Sequence, residues 1–257
     1  DVMDRVLSLT NALQNTMKWT YDKLGRVTEI TDPLKGKTTY SYNALGQVNA
    51  VKQPNGATQT IQYDALGRIT KHTDALGRNS SYQYDVFGNL QAITDALGGK
   101  TSMAYNVAGE LLKVTDPNGS KTQYEYDQLG QLKKIIDPLN EETIYKYDKV
   151  GRLIHITEPN NAITSYEYDK IGRAIEITDP MKGITKFNYD EVGNLLKETN
   201  PMGNSKSYKY DVLNRIVFEK DRRGFATTYE YDDVAGIIKI TDATGAVTKQ
   251  QYDAVHQ

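Results

Sequence analysis

Polar and apolar residues alternate in short runs that recur along the whole chain, as in Thr122-Gln123-Tyr124-Glu125-Tyr126 and Thr164-Ser165-Tyr166-Glu167-Tyr168. Period-two alternation rich in Thr and aromatic residues is the pattern of a β-strand with one covered face. A second kind of run, such as Arg26-Val27-Thr28-Glu29-Ile30-Thr31 or Arg173-Ala174-Ile175-Glu176-Ile177-Thr178, is β-branched but alternates less cleanly. A bulge beside the preceding glycine, or partial cover on the second face, accounts equally for that irregularity. No window carries a sustained helical period. The runs predict an all-β chain with strands of about six residues.

The runs are in phase. Twelve Tyr-Asp or Tyr-Asn dipeptides, from Tyr21 to Tyr252, stand 21 residues apart without insertion or deletion. With position 1 as the residue after the Tyr, residues 1–252 form twelve tandem repeats in one array, and residues 253–257 begin a thirteenth. All nineteen Tyr fall at position 19 or 21 and all seven Pro at position 12; Gly holds position 4 in nine repeats and position 14 in seven. A fixed short period means that each repeat is one supersecondary unit stacked on copies of itself.

Asp-x-x-Gly, or a close variant of it, recurs at two places of the repeat, as in Asp22-Lys23-Leu24-Gly25 and Asp116-Pro117-Asn118-Gly119. Asp at the first corner, Pro at the second and Gly at the fourth are the preferences of a type I turn. In Pro33-Leu34-Lys35-Gly36 and Pro180-Met181-Lys182-Gly183 the Gly stands one place later, which suggests a slightly different loop. Two short turns per repeat predict tandem antiparallel β-hairpins in a continuous sheet, which strand twist coils into a spiral. Equal repeat lengths also fit a parallel β-solenoid with 21-residue coils, in which Tyr124 lies above Tyr145 and Tyr145 above Tyr166. In the hairpin reading, Tyr at positions 19 and 21 faces the better-covered side, and position 20 (Glu125, Lys146, Glu167, Lys209) faces solvent. A fully buried Tyr at one of these places, such as Tyr126, would cost about 3–5 kcal/mol to truncate.

Composition narrows the function classes. A hydrophobic content of 38% suits a thin sheet better than a thick core, and 31 basic against 33 acidic residues are spread evenly, for a net charge of −2. No basic stripe exists of the kind that a phosphate backbone requires, so nucleic acid is not an expected partner. The chain has no cysteine, which removes disulfides, thiolate metal sites and Cys nucleophiles together. No stretch approaches the roughly 18 apolar residues of a spanning helix, so no membrane span is expected in this section. No secretory leader is visible, and the phase of the repeats at both ends reads as a section of a longer chain.

The recurrent aspartates are the first candidates for acid–base or metal chemistry. A catalytic pair is unique in its chain, whereas these occur at both turns of nearly every repeat, where the turn itself demands them. The Gly-Gly-x-Gly-x-Asp pattern of calcium-loaded β-rolls is missing. His72, His155 and His256 are each alone in their repeats, and no Gly-x-Ser-x-Gly elbow, phosphate loop or His-Glu-x-x-His is present. No catalytic, cofactor-binding or metal residue is assigned, no cofactor is expected, and the section reads as non-enzymatic. Arg occupies position 5 in six repeats (Arg5, Arg26, Arg68, Arg152, Arg173, Arg215), placed to stack on a neighbouring Tyr for about 0.5–2 kcal/mol. Open Tyr rows would instead suit the C–H faces of sugars.

The composite of Tyr147-Asp148-Lys149-Val150-Gly151-Arg152-Leu153 and Thr115-Asp116-Pro117-Asn118-Gly119 resembles the RHS/YD-repeat family, and the resemblance covers the whole chain. In that family β-hairpin repeats join into a spiralling sheet that often closes into a hollow shell around a C-terminal toxin. Related arrays occur in bacterial wall-associated proteins and in animal teneurins. The resemblance implies a non-catalytic structural section of a secreted or cell-surface bacterial protein, forming shell wall, stalk or filament, around or carrying a toxin domain. Its implied partners are neighbouring repeats, copies of itself end to end, and an enclosed toxin domain. The alternative function is a carbohydrate-adhesion module that presents exposed Tyr rows to glycans.

Departures from the family pattern matter. Its shell-closing segment with aspartyl self-cleavage residues is not recognisable, and the Asp-Pro pairs at Asp32, Asp116, Asp137 and Asp179 belong to the repeat's own turn. Uniform repeat length favours a regular superhelix over a closed cocoon. Irregular residues gather near the ends: Asp4 and Gln14, Asn214 and Arg222-Arg223, Ala235 and Gln250. A hairpin edge left open at each end predicts that the isolated section associates.

Overall fold

The structure, a computed structural model, describes Met3, residues 5–234 and residues 236–251. Among these residues there are 24 strands and no helix. The first strand of a repeat covers positions 6–10, as in Val27–Thr31 and Leu153–Thr157, and the second covers positions 16–21, as in Lys37–Tyr42 and Ile163–Tyr168. The chain divides into two compact segments, Asp1–Tyr124 and Glu125–Gln257.

Each segment is an antiparallel meander. In the first, pairing runs strand by strand from Ser8–Thr10 against Thr16–Tyr21 to Leu111–Thr115 against Lys121–Tyr126. In the second it runs from Leu132–Ile136 against Glu142–Tyr147 to Ile237–Thr241 against Val247–Gln251. Tyr145 lies opposite Ile156 and Tyr166 opposite Ile177. The tyrosines therefore do not stack on one another, and the parallel solenoid is excluded.

Both turns of the repeat share one geometry. In the first, the Asp22 amide donates to the Arg26 carbonyl at 2.9 Å and the Gly25 amide to the Asp22 carbonyl at 3.0 Å. In the second, the Asp32 amide donates to the Gly36 carbonyl at 2.9 Å and the Lys35 amide to the Asp32 carbonyl at 3.0 Å. The loop at Gly36 is thus not a variant loop, which corrects the expectation from its displaced glycine. Lys35 (φ 67) and Lys182 (φ 66) take the left-handed conformation themselves, where other repeats place Gly. Gly36 and Gly183 answer a different need: a Cβ there would lie 2.6 and 2.5 Å from the Oδ2 atoms of Asp32 and Asp179. It would also stand 3.1 and 3.0 Å from Pro54 and Pro201 of the next repeat.

The irregular run at positions 5–10 is explained by a bulge. Across the first turn Gln62 pairs with Lys71 but Tyr63 pairs with Ile69, so Thr70 at position 7 is extra, and the same shift recurs from hairpin to hairpin. The bulge lies three residues beyond the Gly rather than beside it. An extra residue reverses the alternation, so positions 6 and 9 join 17, 19 and 21 on one face. Tyr147 thereby meets Leu153, and Tyr145 meets Ile156. Positions 8, 10, 18 and 20 share the other face, on which Glu125, Lys146, Glu167 and Lys209 are exposed as expected.

Neither face is fully covered. Among the described residues only Ala92 is buried, at 3% exposure. Tyr126 is half-buried, so the cost of truncating a fully buried Tyr does not apply to it. The last repeat departs from the rest: Tyr231 pairs with Ile238 and Asp232 with Ile237, without a bulge. Ala235 and Asp4 lie outside the described residues. Gln14 (φ 61) and Asn214 (φ 60) take left-handed turn positions that Gly holds elsewhere.

These turns make a stability prediction. The left-handed region costs a non-glycine residue about 1–2 kcal/mol, which the greater chain entropy of Gly partly offsets. Lys35→Gly and Lys182→Gly should each raise stability by up to about 1 kcal/mol, and Gly151→Ala should lower it by about 1–2 kcal/mol. Urea unfolding of the three variants checks the ranking.

Candidate functional site

The polar side chains of the first turn form one constellation, repeated along each segment. Asp148 Oδ1 accepts hydrogen bonds from the amides of Val150 and Arg152, both at 3.0 Å, which fixes the turn. Its Oδ2 accepts from Arg152 Nε at 2.7 Å and lies 2.7 Å from Nη2, so the guanidinium is held by two prongs. The remaining nitrogen, Nη1, donates to the carbonyl of Asp169 in the next repeat at 3.0 Å. The guanidinium also covers the ring of Tyr168 at 4.9 Å from its centroid, and the Tyr168 hydroxyl donates to the carbonyl of Leu153 at 2.7 Å. One repeat later, Arg173 bonds Asp169 Oδ2 at 2.6 Å, reaches the Asp190 carbonyl at 2.8 Å and covers Tyr189 at 4.7 Å.

All six position-5 arginines stack on a position-21 tyrosine, at 4.2 to 4.9 Å. Three repeats without Arg keep the reach into the next turn. Gln47 Nε2 donates to the Gly67 carbonyl at 2.8 Å, Gln131 Nε2 to that of Gly151 at 3.1 Å, and Asn194 Nδ2 to Asn214 Oδ1 at 2.9 Å.

The position-21 hydroxyl serves a role not foreseen from the sequence. Pairing inside a repeat stops at positions 8 and 18, as in His155 opposite Ser165, beyond which the two strands part. The Tyr hydroxyl crosses the gap to the position-6 carbonyl, from Tyr42 to Val27 at 2.6 Å and from Tyr210 to Leu195 at 3.0 Å. The last described repeat lacks the bulge, and there the ladder continues to Ile237 opposite Gln251.

These surroundings shift titrations through hydrogen bonding and burial. The Asp148 carboxyl lies below its ordinary 3.8: the Arg152 amide holds the carboxylate most strongly, lost hydration opposes it, and the Arg152 guanidinium adds to the effect. Burial pushes the Tyr147 and Tyr210 phenols above their ordinary 10.0. Tyr229 rises to about 12 through burial and its hydrogen bond to Glu219, at 2.8 Å.

Two of the three isolated histidines lie within the strand ladder. His72 lies between Ile61 and Ser80 in the ladder, and His155 Nδ1 is 3.0 Å from Ser165 Oγ, with Lys146 opposite it on the other neighbouring strand. His256 lies outside the described residues. Among the described residues no three His, Cys, Asp or Glu side chains are placed to hold a metal ion. No helix of the structure is long and apolar enough to cross a membrane.

The signs of the shifts set the pH dependence. The depressed Asp148 and Asp211 contribute stability that is complete above 3.8 and is lost as pH falls through their lower folded values. The raised Tyr147 and Tyr210 contribute stability that is complete below 10.0 and is lost as pH rises through their higher folded values. Thermal unfolding midpoints should therefore form a plateau that declines at both ends. Tyr147→Phe removes the donor to the Leu132 carbonyl, 2.9 Å away, and should cost about 1 kcal/mol at neutral pH while shrinking the alkaline decline.

Comparison with known proteins agrees with this geometry. No curated protein matches the sequence. Among solved structures, the chain is similar to a chain of TcdB2-TccC3 at 15% identity and a TM-score of 0.65, covering 98% of this chain and 17% of that one. It is likewise similar to a chain of TcdB2-TccC3-TEV at 16% identity and a TM-score of 0.63, over 95% of this chain and 16% of that one. At such identities the likeness shows the fold. The profile of the Teneurin YD-shell family matches residues 1–198 and again residues 120–257, and so spans every repeat. The chain belongs to the Teneurin YD-shell family.

Proposed function

We propose that this chain is a non-catalytic wall section of a secreted or cell-surface bacterial RHS/YD-repeat protein. Residues 1–252 act as one array of twelve repeats, with residues 253–257 opening the next. The observation that carries the reading is where the recurrent chemistry is engaged. Asp148, Arg152 and Tyr168 spend their polar atoms on the turn, on each other and on the following repeat. Side chains held in that way hold repeats together and leave no general base or nucleophile free for substrate. Membership of a YD-shell family supports a structural shell role. The chain covers only 17% of its structural neighbour, so an enclosed toxin domain, stalk or filament concerns the longer protein that such a section builds.

Glycan adhesion is the second reading, and it would rest on open tyrosine faces. The position-21 rings of six repeats have one face under a guanidinium, which weighs against them. The half-buried position-19 rings, such as Tyr166, remain its best surface. A glycan array distinguishes the readings: a wall section gives no saturable binding. Saturable binding that Tyr166→Ala removes would instead establish adhesion. In the protein with its native flanking sequence, a domain that follows the array should resist protease until the array unfolds. Cleavage of that domain at the rate of the free domain would overturn the enclosing-wall reading.

A further inference from the structure

Two neighbouring corner positions of the first turn are both exposed but differ in chemistry. In the second segment, position 2 is Gln128, Lys149, Lys170, Glu191, Val212 and Asp233, a mixture of charges, an amide and one aliphatic residue. Position 3 is Leu129, Val150, Ile171, Val192, Leu213 and Val234, aliphatic at every repeat and 62 to 101% exposed. Turn geometry does not demand this. The second turn has the same hydrogen bonds, and its corresponding corner accepts Asn160. A single exposed aliphatic residue needs no explanation, but a row that stays aliphatic and exposed from repeat to repeat points to an interaction surface.

We propose that this row is a docking edge for a second copy of the chain, laid antiparallel along the same row. The period selects the occupant. Turn tips recur every two strands, about 10 Å apart, and only another row with that spacing can meet each tip in turn. Charge selects the direction. Lys149 and Lys170 lie toward one end of the row and Glu191 and Asp233 toward the other. Antiparallel pairing centred between Ile171 and Val192 therefore sets Lys170 of each copy against Glu191 of the other, and a parallel pairing in register would set like charges together. The contact is isologous and closes as a two-fold dimer. Six tips over about 50 Å, in a strip roughly 12 Å wide, give on the order of 600 Å² per copy. That is below the roughly 800 Å² per partner of a standard stable interface, as befits a reversible dimer. The inference goes beyond the wall reading, because it concerns how two walls meet along an edge.

Sedimentation velocity of the chain over a concentration series tests it. The expected result is a reversible equilibrium between the 28.9 kDa monomer and a dimer. The variant Val150→Ser/Ile171→Ser/Val192→Ser should weaken the dimer by about tenfold or more, with an unchanged unfolding midpoint because these side chains are exposed. Lys170→Glu should weaken it, and Lys170→Glu/Glu191→Lys should restore it, which needs no change in the apolar row and covers the case of a poorly folded serine variant. A monomer at every concentration would overturn the proposal. So would association that the serine variant leaves intact, the behaviour of open strand edges joined end to end, or a charge swap that fails to restore pairing.

Discussion

A sheet one layer thick has nothing to press its aromatic face against, and every other feature of this array answers that constraint. Apolar burial contributes about 25 cal/mol per Å² removed from water, yet among the described residues only Ala92 is removed almost completely. Cohesion must come from contacts between successive repeats. The position-5 side chain supplies them at the turns, where Arg152 grips its own Asp148, covers Tyr168 and bonds the Asp169 carbonyl of the next repeat. Each contact is modest, since exposed ion pairs contribute about 0.2–1 kcal/mol and exposed cation–π pairs about 0.5–1 kcal/mol. In a repeat protein such terms recur at every interface, and stability approximates a sum of repeat and nearest-neighbour energies.

The bulge and the tyrosine hydroxyl are two halves of one device. An extra residue at position 7 brings the aliphatic residues of positions 6 and 9 to the aromatic face, which thickens the only covered surface the sheet has. The same distortion ends the pairing within the repeat at positions 8 and 18. An unpaired backbone carbonyl at a partly covered site is costly, and the Tyr168 hydroxyl answers it by donating to Leu153. The last described repeat is an internal control. Its hairpin has no bulge at Tyr231, and pairing then extends from Ile237 to Gln251 with no gap to bridge.

The fold was legible in the sequence to the extent that it depends on turns. Asp-x-x-Gly at a fixed spacing names the hairpins, and strict alternation names the exposed position 20. Three features escaped for identifiable reasons. Lys35 takes the left-handed conformation beside Gly36, because that conformation is demanded by the place in the loop and not by the glycine that happens to be near it. Tyr126 is half-buried, because alternation says which face is favoured and not whether anything lies against it. The bond from Tyr168 to Leu153 ends on a backbone carbonyl, which has no side-chain signature. The role of position 5 left a trace. Gln47 and Gln131 carry no charge to stack on a ring, yet they stand where Arg does, which points to a hydrogen bond into the following turn.

Repeats within one chain separate internal demands from external ones. Position 5 is Arg, Gln, Asn or Glu in the first eleven repeats and Gly236 in the twelfth, and its polar variants still find polar partners: Asn89 bonds Asp85 at 2.9 Å, and Glu110 accepts from Asn106 at 2.6 Å. Through those eleven repeats its chemistry changes while a polar arm remains, which is the mark of a structural task with several solutions. Position 20 ranges over acids, bases, amides, hydroxyl residues and Ala104 because solvent accepts any of them. A position that is exposed and nevertheless chemically uniform obeys neither rule, since water does not select for an aliphatic side chain and the turn does not require one. The demand on such a position comes from outside the repeat. For repeats whose recurrent Asp, Arg and Tyr side chains are engaged with one another, function is then expected at the level of rows and edges, where features that are weak singly act together along a segment.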